Sequence, residues 1–462
     1  MDTNTRETQS LEKKTFENLL SPTSIGGVPL KNRIAVAAMQ TFMSGPSGEI
    51  GEQCLSYIGA RAKGGAGLVI SGVFLGTRLA SRFTLGRAMF LFHEGHQLGA
   101  TLYAERIHYF GSVACAQMSP GLGRQCTPWD PEAIAPAPTA NLPYEIAYDK
   151  MPGGFSQVIA SDLRSRMFAM GPMTREMSLS EIRDEQREFA NSCQLAVMSG
   201  FDMIEIHATH GFLCHQFLSP LTNKRTDLYG GEWRNRKRFL NELMEIVRYA
   251  CGGIPVGVRI SAEEHMEGGL TREEMVDVAC DLEARGADFI DLSDGGGLEE
   301  CGHQIPDADR AEHMGDHGID FKKVLKIPVM VMSQHDPGKA DAAIASGKYD
   351  ISALGRQLLC DPEYPRKLAE GRQDEIIRCA RCNTCIIRGL AGMYIACPQN
   401  PNLGREYLLE EYRMGPWKQG ERLIPASMEH ARMQPLYKKP FWKNEIEPAE
   451  KCFRPFRGPG PR

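Results

Sequence analysis

The sequence predicts an α/β protein built on a closed (β/α)8 barrel, followed by a small cysteine-bearing segment and an extended C-terminal tail. Eight short apolar runs alternate with helical stretches between about residues 30 and 370: Arg33 to Ala38, Gly67 to Gly72, Ser112 to Gln117, Asp202 to His207, Pro255 to Ile260, Ala287 to Ser293, Pro328 to Met332 and Tyr349 to Leu354. Near-continuous apolar strands separated by helices describe a parallel sheet buried on both faces, and eight such units close into a barrel. Several runs are entered by the same punctuation, a helix end with Gly and a small turn: AKGGAGLVI, MSGFDMIEI, EARGADFIDL and ASGKYDISAL. A doubly wound open sheet is the rival, and no run is followed by the G-x-G-x-x-G turn that such sheets use for dinucleotides.

Composition bounds the rest. A chain of 462 residues with 42% hydrophobic content can bury a substantial core. A formal charge of -5 supplies no basic footprint for nucleic acid. The N-terminus MDTNTRETQS lacks the apolar core of a secretory signal, and no run approaches the roughly 18–20 apolar residues of a membrane span. The expectation is a soluble, cytoplasmic protein with no nucleic-acid or membrane partner. Scattered cysteines beyond one cluster fit a reducing compartment.

The expected organisation is a barrel over 1–375, a cluster segment over 376–402 and a tail over 403–462. An irregular insertion at 125–178, rich in Pro, Gly and Met, follows the third run and reads as a lid or substrate-contacting loop over the C-terminal face, where barrel active sites collect, with a plain surface excursion as the alternative. The tail alternates charged and aromatic residues and ends in FRPFRGPGPR, a segment suited to wrapping the barrel or a neighbouring subunit in a homo-oligomer.

Four of the fourteen cysteines, Cys379, Cys382, Cys385 and Cys397, fall inside nineteen residues. A C-x2-C-x2-C run closed from a distance by Cys-Pro suits four thiolates around an iron–sulfur cubane, predicted here as [4Fe-4S]. Structural zinc is the main alternative, but its ligands more often come as two separated arms. A disulfide is a further one.

The strand ends carry the remaining chemistry. The fourth run ends in His207, with His210 three residues on, and the two could jointly donate hydrogen bonds to one substrate oxygen. Adding His215 makes an alternative metal trio without a nearby carboxylate, and a purely structural pair is the plainest alternative. Arg259 interrupts an apolar fifth run and needs an anionic or electron-rich partner. Gln117 ends the third run with an amide that both donates and accepts, as a heterocycle edge requires. Gly355 and Arg356 follow the eighth run, where barrels hold phosphate. Together these ask for a phosphorylated, planar, redox-active ring, which flavin mononucleotide (FMN) satisfies.

With these residues the chain resembles the Old Yellow Enzyme family of flavin barrels, in its iron–sulfur branch with 2,4-dienoyl-CoA reductase, 2-enoate reductase and trimethylamine dehydrogenase. The resemblance covers roughly residues 20 to 405. It rests on LKNRIAVAAM, HATHGFLCHQFLSPLTNKRTDLYGG-x-x-RNR, VGVRIS, ALGRQLLCDP and CARCNTC…CPQNPNLGRE, in that order. It implies that the backbone of Ala37, Ala38 and Met39 lies against the flavin, that Gln117 meets the pyrimidine edge and Arg259 the N1–O2 side, and that Ser333, Gly355 and Arg356 lie on the cofactor's phosphate side. It also implies that His207 and His210 bind the oxygen of an unsaturated acid, thioester or ketone, placing its β-carbon over flavin N5 for hydride transfer. The amine-oxidising relatives carry tyrosine at the first of these positions, so the resemblance leans to ene-reduction over an amine dehydrogenase or demethylase.

Three departures qualify it. Phe212 stands where the family often supplies a proton-donating tyrosine, leaving Tyr144, Tyr148 or water as donors. The seventh run leads into Met332-Ser333-Gln334-His335-Asp336-Pro337 rather than a glycine-rich phosphate turn. Gln40 occupies the position at which amine dehydrogenases attach flavin through cysteine, so FMN is expected to be non-covalent. A non-catalytic electron-transfer subunit with a degenerate flavin site is the alternative from another class. Members of this branch continue into nucleotide-binding domains, and no dinucleotide fingerprint occurs here. The expected electron source is therefore either NAD(P)H acting directly on FMN or a separate electron-transfer protein, such as an electron-transfer flavoprotein, a ferredoxin or an NADH dehydrogenase subunit. Substrate choice is expected to sit in the insertion and in the loop Gly295 to Gly318, which holds Glu299, Glu300, His303 and His313.

Overall fold

The computed structural model describes residues 15–84, 86–126, 134–142, 173–297, 313–332, 334–390 and 392–415. Eight parallel strands form the barrel: β1 (Ile34–Val36), β2 (Leu68–Ile70), β3 (Val113–Ser119), β4 (Met203–Ala208), β5 (Val256–Ser261), β6 (Phe289–Ser293), β7 (Val329–Met332) and β8 (Ile351–Leu354). Each pairs in parallel with the next, and β8 pairs with β1, so the cylinder has no free edge. All eight predicted runs therefore became strands, shifted by a residue or two at their ends.

The alternation along each strand explains why the runs read as almost continuously apolar. Ala35, Leu68, Cys115, Met203, Phe289, Met330 and Ile351 point into one core inside the lumen. Their neighbours Ile34, Val69, Ala114, Ile204, Ile290 and Val329 belong to a second, larger core shared with the helices. Both faces are dry, and both therefore demand hydrophobic side chains. A two-stranded N-terminal hairpin, Thr23–Ile25 paired with Val28–Leu30, adds Ile25, Val28 and Leu30 to the lumen core.

Helices α1 (Glu52–Lys63), α2 (Gln97–Tyr109), α3 (Leu179–Met198), α4 (Leu213–Leu218), α5 (Trp233–Cys251), α6 (Arg272–Ala284), α7 (Gly318–Val324) and α8 (Pro337–Ala345) lie among the strands. The punctuation glycines end four of them: Gly65, Gly200, Gly286 and Gly347 take φ of 99, 94, 90 and 74° just past α1, α3, α6 and α8. A left-handed residue turns the chain back toward the sheet, and only glycine does so without a Cβ penalty. Capping boxes at Ser178–Glu181 and Thr271–Glu274 start α3 and α6.

Within the insertion, Ala135–Ala137 pairs in parallel with Thr174–Glu176, a ladder that the irregular composition concealed. Tyr144 and Tyr148 lie outside the described residues, as do Glu299, Glu300 and His303. His313 is exposed.

After β8 come α9 (Arg356–Cys360), α10 (Tyr364–Ala369) and α11 (Thr384–Leu390). The start of the tail is bound to the barrel wall. Arg61 of α1 meets Glu406 at 2.5 Å with both side chains almost fully buried, Arg106 of α2 donates to Tyr412 O at 2.7 Å, and Lys63 pairs with Glu411 at 3.0 Å. Arg61 also donates to Tyr57 O at 2.7 Å, while Glu406 accepts from Gly404 N at 2.7 Å. Residues 416–462, including the FRPFRGPGPR end, lie outside the described residues.

A buried ion pair is costly to break from one side because the surviving charge has no solvent. Arg61→Leu should therefore destabilise the fold by about 3–5 kcal/mol, and Arg61→Leu with Glu406→Leu together should recover most of that loss. Urea unfolding followed by far-ultraviolet circular dichroism reads both.

Candidate active site

A cavity of 270 Å³ opens at the C-terminal end of the barrel. The structure brings together there nearly every residue singled out in the sequence: Ala37, Ala38 and Met39 after β1, Gln117 on β3, His207 and His210 at the end of β4, Arg259 on β5, and Gly355 and Arg356 after β8. Gln40 and Phe212 line it as well. Ser333 lies outside the described residues. His215 turns away from the cavity, its Nε2 3.4 Å from Glu264 Oε1 in a fully buried pair, which separates it from the alternative metal trio. Met332 at the end of β7 joins the apolar wall, and Leu75 and Ala88 beyond β2 with Ile395 complete it; these last three escaped the sequence reading, because their loops carry no strand-end signal.

The turn after β4 explains how two histidines three residues apart face one space. His210 sits at φ 60° and Gly211 at 70°, consecutive left-handed residues. For histidine this conformation is strained. It is held because Gln125 Nε2 donates to His210 O at 2.7 Å, and a Cβ on Gly211 would collide with Gln125 Nε2 and Gly296 O at 2.1 Å. The His207 and His210 rings stand 5.5 Å apart, and the Phe212 ring lies 5.0 Å from His207. His210 Nε2 is 2.5 Å from Ser293 Oγ, a hydroxyl that can donate to it and leave the other ring nitrogen to carry the N–H, and the same hydroxyl lies 2.9 Å from Met332 Sδ, whereas His207 Nδ1 is buried without a partner.

Burial, and then the nearby Arg259 guanidinium, lower the basicity of both rings. His207 falls from 6.5 to about 3, and His210 falls well below its ordinary value. Near neutral pH both are uncharged imidazoles, each with one N–H to donate. Arg259 reaches Ala38 O at 3.4 Å and Met332 Sδ at 3.2 Å. Gln117 Nε2 donates to Glu205 Oε1 at 2.7 Å, leaving the amide oxygen for the cavity.

The cysteine segment closes one side of the same cavity: Cys385 and Ile386 line it beside Arg356 and Leu359. Arg356 donates to Asn383 Oδ1 at 2.7 Å, Cys379 N donates to Gln357 Oε1 at 3.0 Å, and Asn400 Nδ2 donates to Leu359 O at 2.8 Å, so α9 carries both the Gly355–Arg356 turn and the loop. Left-handed Arg381 (φ 52°) and Asn383 (φ 56°) flank Cys382 and make the loop tight. Backbone N–H groups point at three sulfurs: Arg381 at Cys379, Ile386 at Cys385, and Gln399 with Asn400 at Cys397. Among the described residues no three His, Cys, Asp or Glu side chains converge closely enough to hold a metal ion. A second cavity of 190 Å³ lies between the seventh turn and this loop, lined by His335, Arg378, Cys379 and Arg381 among others.

The family model described as NADH:flavin oxidoreductase / NADH oxidase matches residues 18–375. The chain belongs to this family. It is 32% identical over 430 residues to an NADH oxidase of Thermoanaerobacter brockii, covering 90% of this chain and 61% of that protein. It is 29% identical over 453 residues to a cinnamate reductase of Clostridium sporogenes, covering 91% and 63%. The solved 2-naphthoyl-CoA reductase complex with 2-naphthoyl-CoA superimposes with a TM-score of 0.74 at 27% identity, over 85% of this chain and 58% of that one. The chain thus spans about three fifths of the length of these relatives. Among the described residues no helix is long and apolar enough to cross a membrane.

The lowered histidines make the protein acid-sensitive in a defined window. In the unfolded chain His207 takes up a proton near 6.5, and in the fold only near 3, so unfolding gains protons between these values. Stability should be at its plateau above pH 6.5 and decline progressively as pH falls toward 3. His207→Gln should flatten part of that slope in thermal melts taken across the window.

Proposed function

We propose that the chain is an FMN- and [4Fe-4S]-dependent ene-reductase acting on an α,β-unsaturated acid, thioester or ketone. The observation that carries this reading is the single cavity in which two neutral histidines face Arg259, Gln117 and the Gly355–Arg356 turn, with Cys385 in its wall. The donor set suits FMN: a free amide oxygen on Gln117, a guanidinium beside the small residues Ala37 and Ala38, and a Gly–Arg turn for the phosphate. Bound FMN would supply hydride from N5 to the substrate β-carbon.

The chain's own residues do the rest. His207 and His210 hold the substrate carbonyl oxygen through N–H groups and, being uncharged, stabilise negative charge as it develops there without surrendering a proton. Leu75, Ala88, Leu122 and Phe212 exclude water from the reacting alkene. Phe212 offers no hydroxyl, so the α-carbon proton comes from water or from a tyrosine of the insertion. Cys379, Cys382, Cys385 and Cys397 would hold the cluster: three of them sit on one tight loop, and backbone N–H groups facing three of the sulfurs would stabilise thiolate ligands against the opposing effect of burial. The resemblance to a cinnamate reductase and to a 2-naphthoyl-CoA reductase supports unsaturated acids and their CoA esters as the first compounds to try. NAD(P)H or a separate electron-transfer protein would supply the electrons.

Anaerobically purified protein should contain FMN and about four iron atoms per chain. It should reduce cinnamate-type acids or their CoA esters with dithionite-reduced viologen as donor. His207→Ala and His210→Ala should each lower kcat by about 10²–10³-fold while FMN stays bound. Protein that takes up neither FMN nor iron, or variants as active as the parent, would refute the assignment.

A further inference from the structure

The lumen just below the two histidines holds two carboxyl groups and one guanidinium. Glu205 on β4 and Asp291 on β6 are fully buried, and Arg259 stands on β5 between them, its Nε 3.3 Å from Asp291 Oδ2. Strand register sets this arrangement: Glu205 lies level with Gln117 of β3 and Gly257 of β5, and Arg259 lies level with Asp291. The Phe289 ring packs over Gly257, where a Cβ would meet it at 2.4 Å, in the layer beneath the acids.

The hydrogen bonds leave a gap that one proton fills. Glu205 Oε1 accepts from Gln117 Nε2 at 2.7 Å, while Glu205 Oε2 and Asp291 Oδ1 accept no hydrogen bond from the rest of the described residues and Asp291 Oδ2 has only the ion-pair contact with Arg259. The two carboxyl groups contact one another. Carboxylates only accept, so that contact is a hydrogen bond only if one of the pair is protonated. Two ionised acids sharing one cation in a dry lumen would leave an uncompensated buried charge.

We infer that Glu205 and Asp291 share a single proton resident on Glu205, so that the pair and Arg259 form a neutral triad, and that Glu205 is a positioning residue that aims the Gln117 oxygen into the cavity. The groups around Glu205 agree. The charged neighbours are Asp291 and Arg259; Cys115 of β3 is held as a thiol and His207 of β4 as a neutral imidazole. Burial, reinforced by Asp291, pushes the Glu205 carboxyl up to about 8, and burial raises Asp291 as well. Above that pH the triad becomes net negative. If the cavity holds a flavin, as proposed above, that charge would weaken its grip on an electron-rich ring.

The proton can be read without flavin. Infrared spectra of FMN-free protein at pH 7, with glutamate carboxyl groups carbon-13 labelled, should show isotope-shifted protonated-carboxyl absorption. Glu205→Gln should lose part of it. Asp291→Asn should lose the same part, because the remaining acid then has the guanidinium to itself and ionises. Glu185→Gln, which removes a second buried acid bonded to Thr77 far from the lumen, should lose a different part. Absorption that survives in Asp291→Asn would show an independently protonated glutamate and overturn sharing. Absorption unshifted by the label would put the proton on Asp291 and overturn its residence.

With FMN added, Glu205→Ala should weaken binding about tenfold by leaving buried groups unpaired, and Glu205→Gln, which can still accept from Gln117 and donate to Asp291, should restore most of it. Parent affinity should decline above pH 8 and that of Glu205→Gln should not. Equal affinity for Ala, Gln and parent at every pH would overturn the positioning role. A protein that binds no FMN would refute the proposed function and leave the infrared result to decide the pair.

Discussion

A guanidinium inside a dry barrel lumen is the constraint on which this site depends. Arg259 is 4% exposed, and burying it requires compensating charge within reach. The β5–β6 register supplies it at Asp291. Once that cation is fixed, its field reaches outward: it helps hold His207 and His210 uncharged, and its Nη atoms lie toward Ala38 and Met332 at the cavity rim. The polar layer sits directly above a lumen core of Ala35, Leu68, Cys115 and Phe289. Water is thus excluded from below, and charges there interact more strongly than they would in water.

The second organising feature is mechanical. The short helix α9 carries Arg356 at the cavity edge, and Gln357 and Leu359 anchor the cysteine loop by hydrogen bonds. The loop therefore belongs to the barrel's C-terminal face, and Cys385 becomes part of the cavity wall. Beyond it, Glu406 is locked to Arg61. The segment that carries the four cysteines is held at both ends.

The eight strands and the principal cavity residues were legible in the amino-acid sequence, because burial on both faces enforces apolar runs and left-handed helix ends enforce glycine. His207, His210, Gln117, Arg259 and Gly355–Arg356 were legible because polar residues at the ends of such runs have nowhere to point except the mouth of the barrel. Residues such as Leu75, Ala88 and Ile395 were not, since apolar loop positions look alike until the loops are folded over the mouth. Nor was the exclusion of His215 from the histidine pair: the turn at His210–Gly211 points one ring inward, while α4 carries the next one back to Glu264.

By itself, then, the sequence determined the barrel, the polar strand ends and a tight four-cysteine segment, all of which follow from local periodicity and spacing. Only the tertiary structure decided which of those groups meet. Glu205 and Asp291 read as unremarkable acids within two apolar runs; closure of the barrel and its strand register put them against one another, with one guanidinium to share. That pairing depends on contacts between residues far apart in the chain, and no local pattern encodes it.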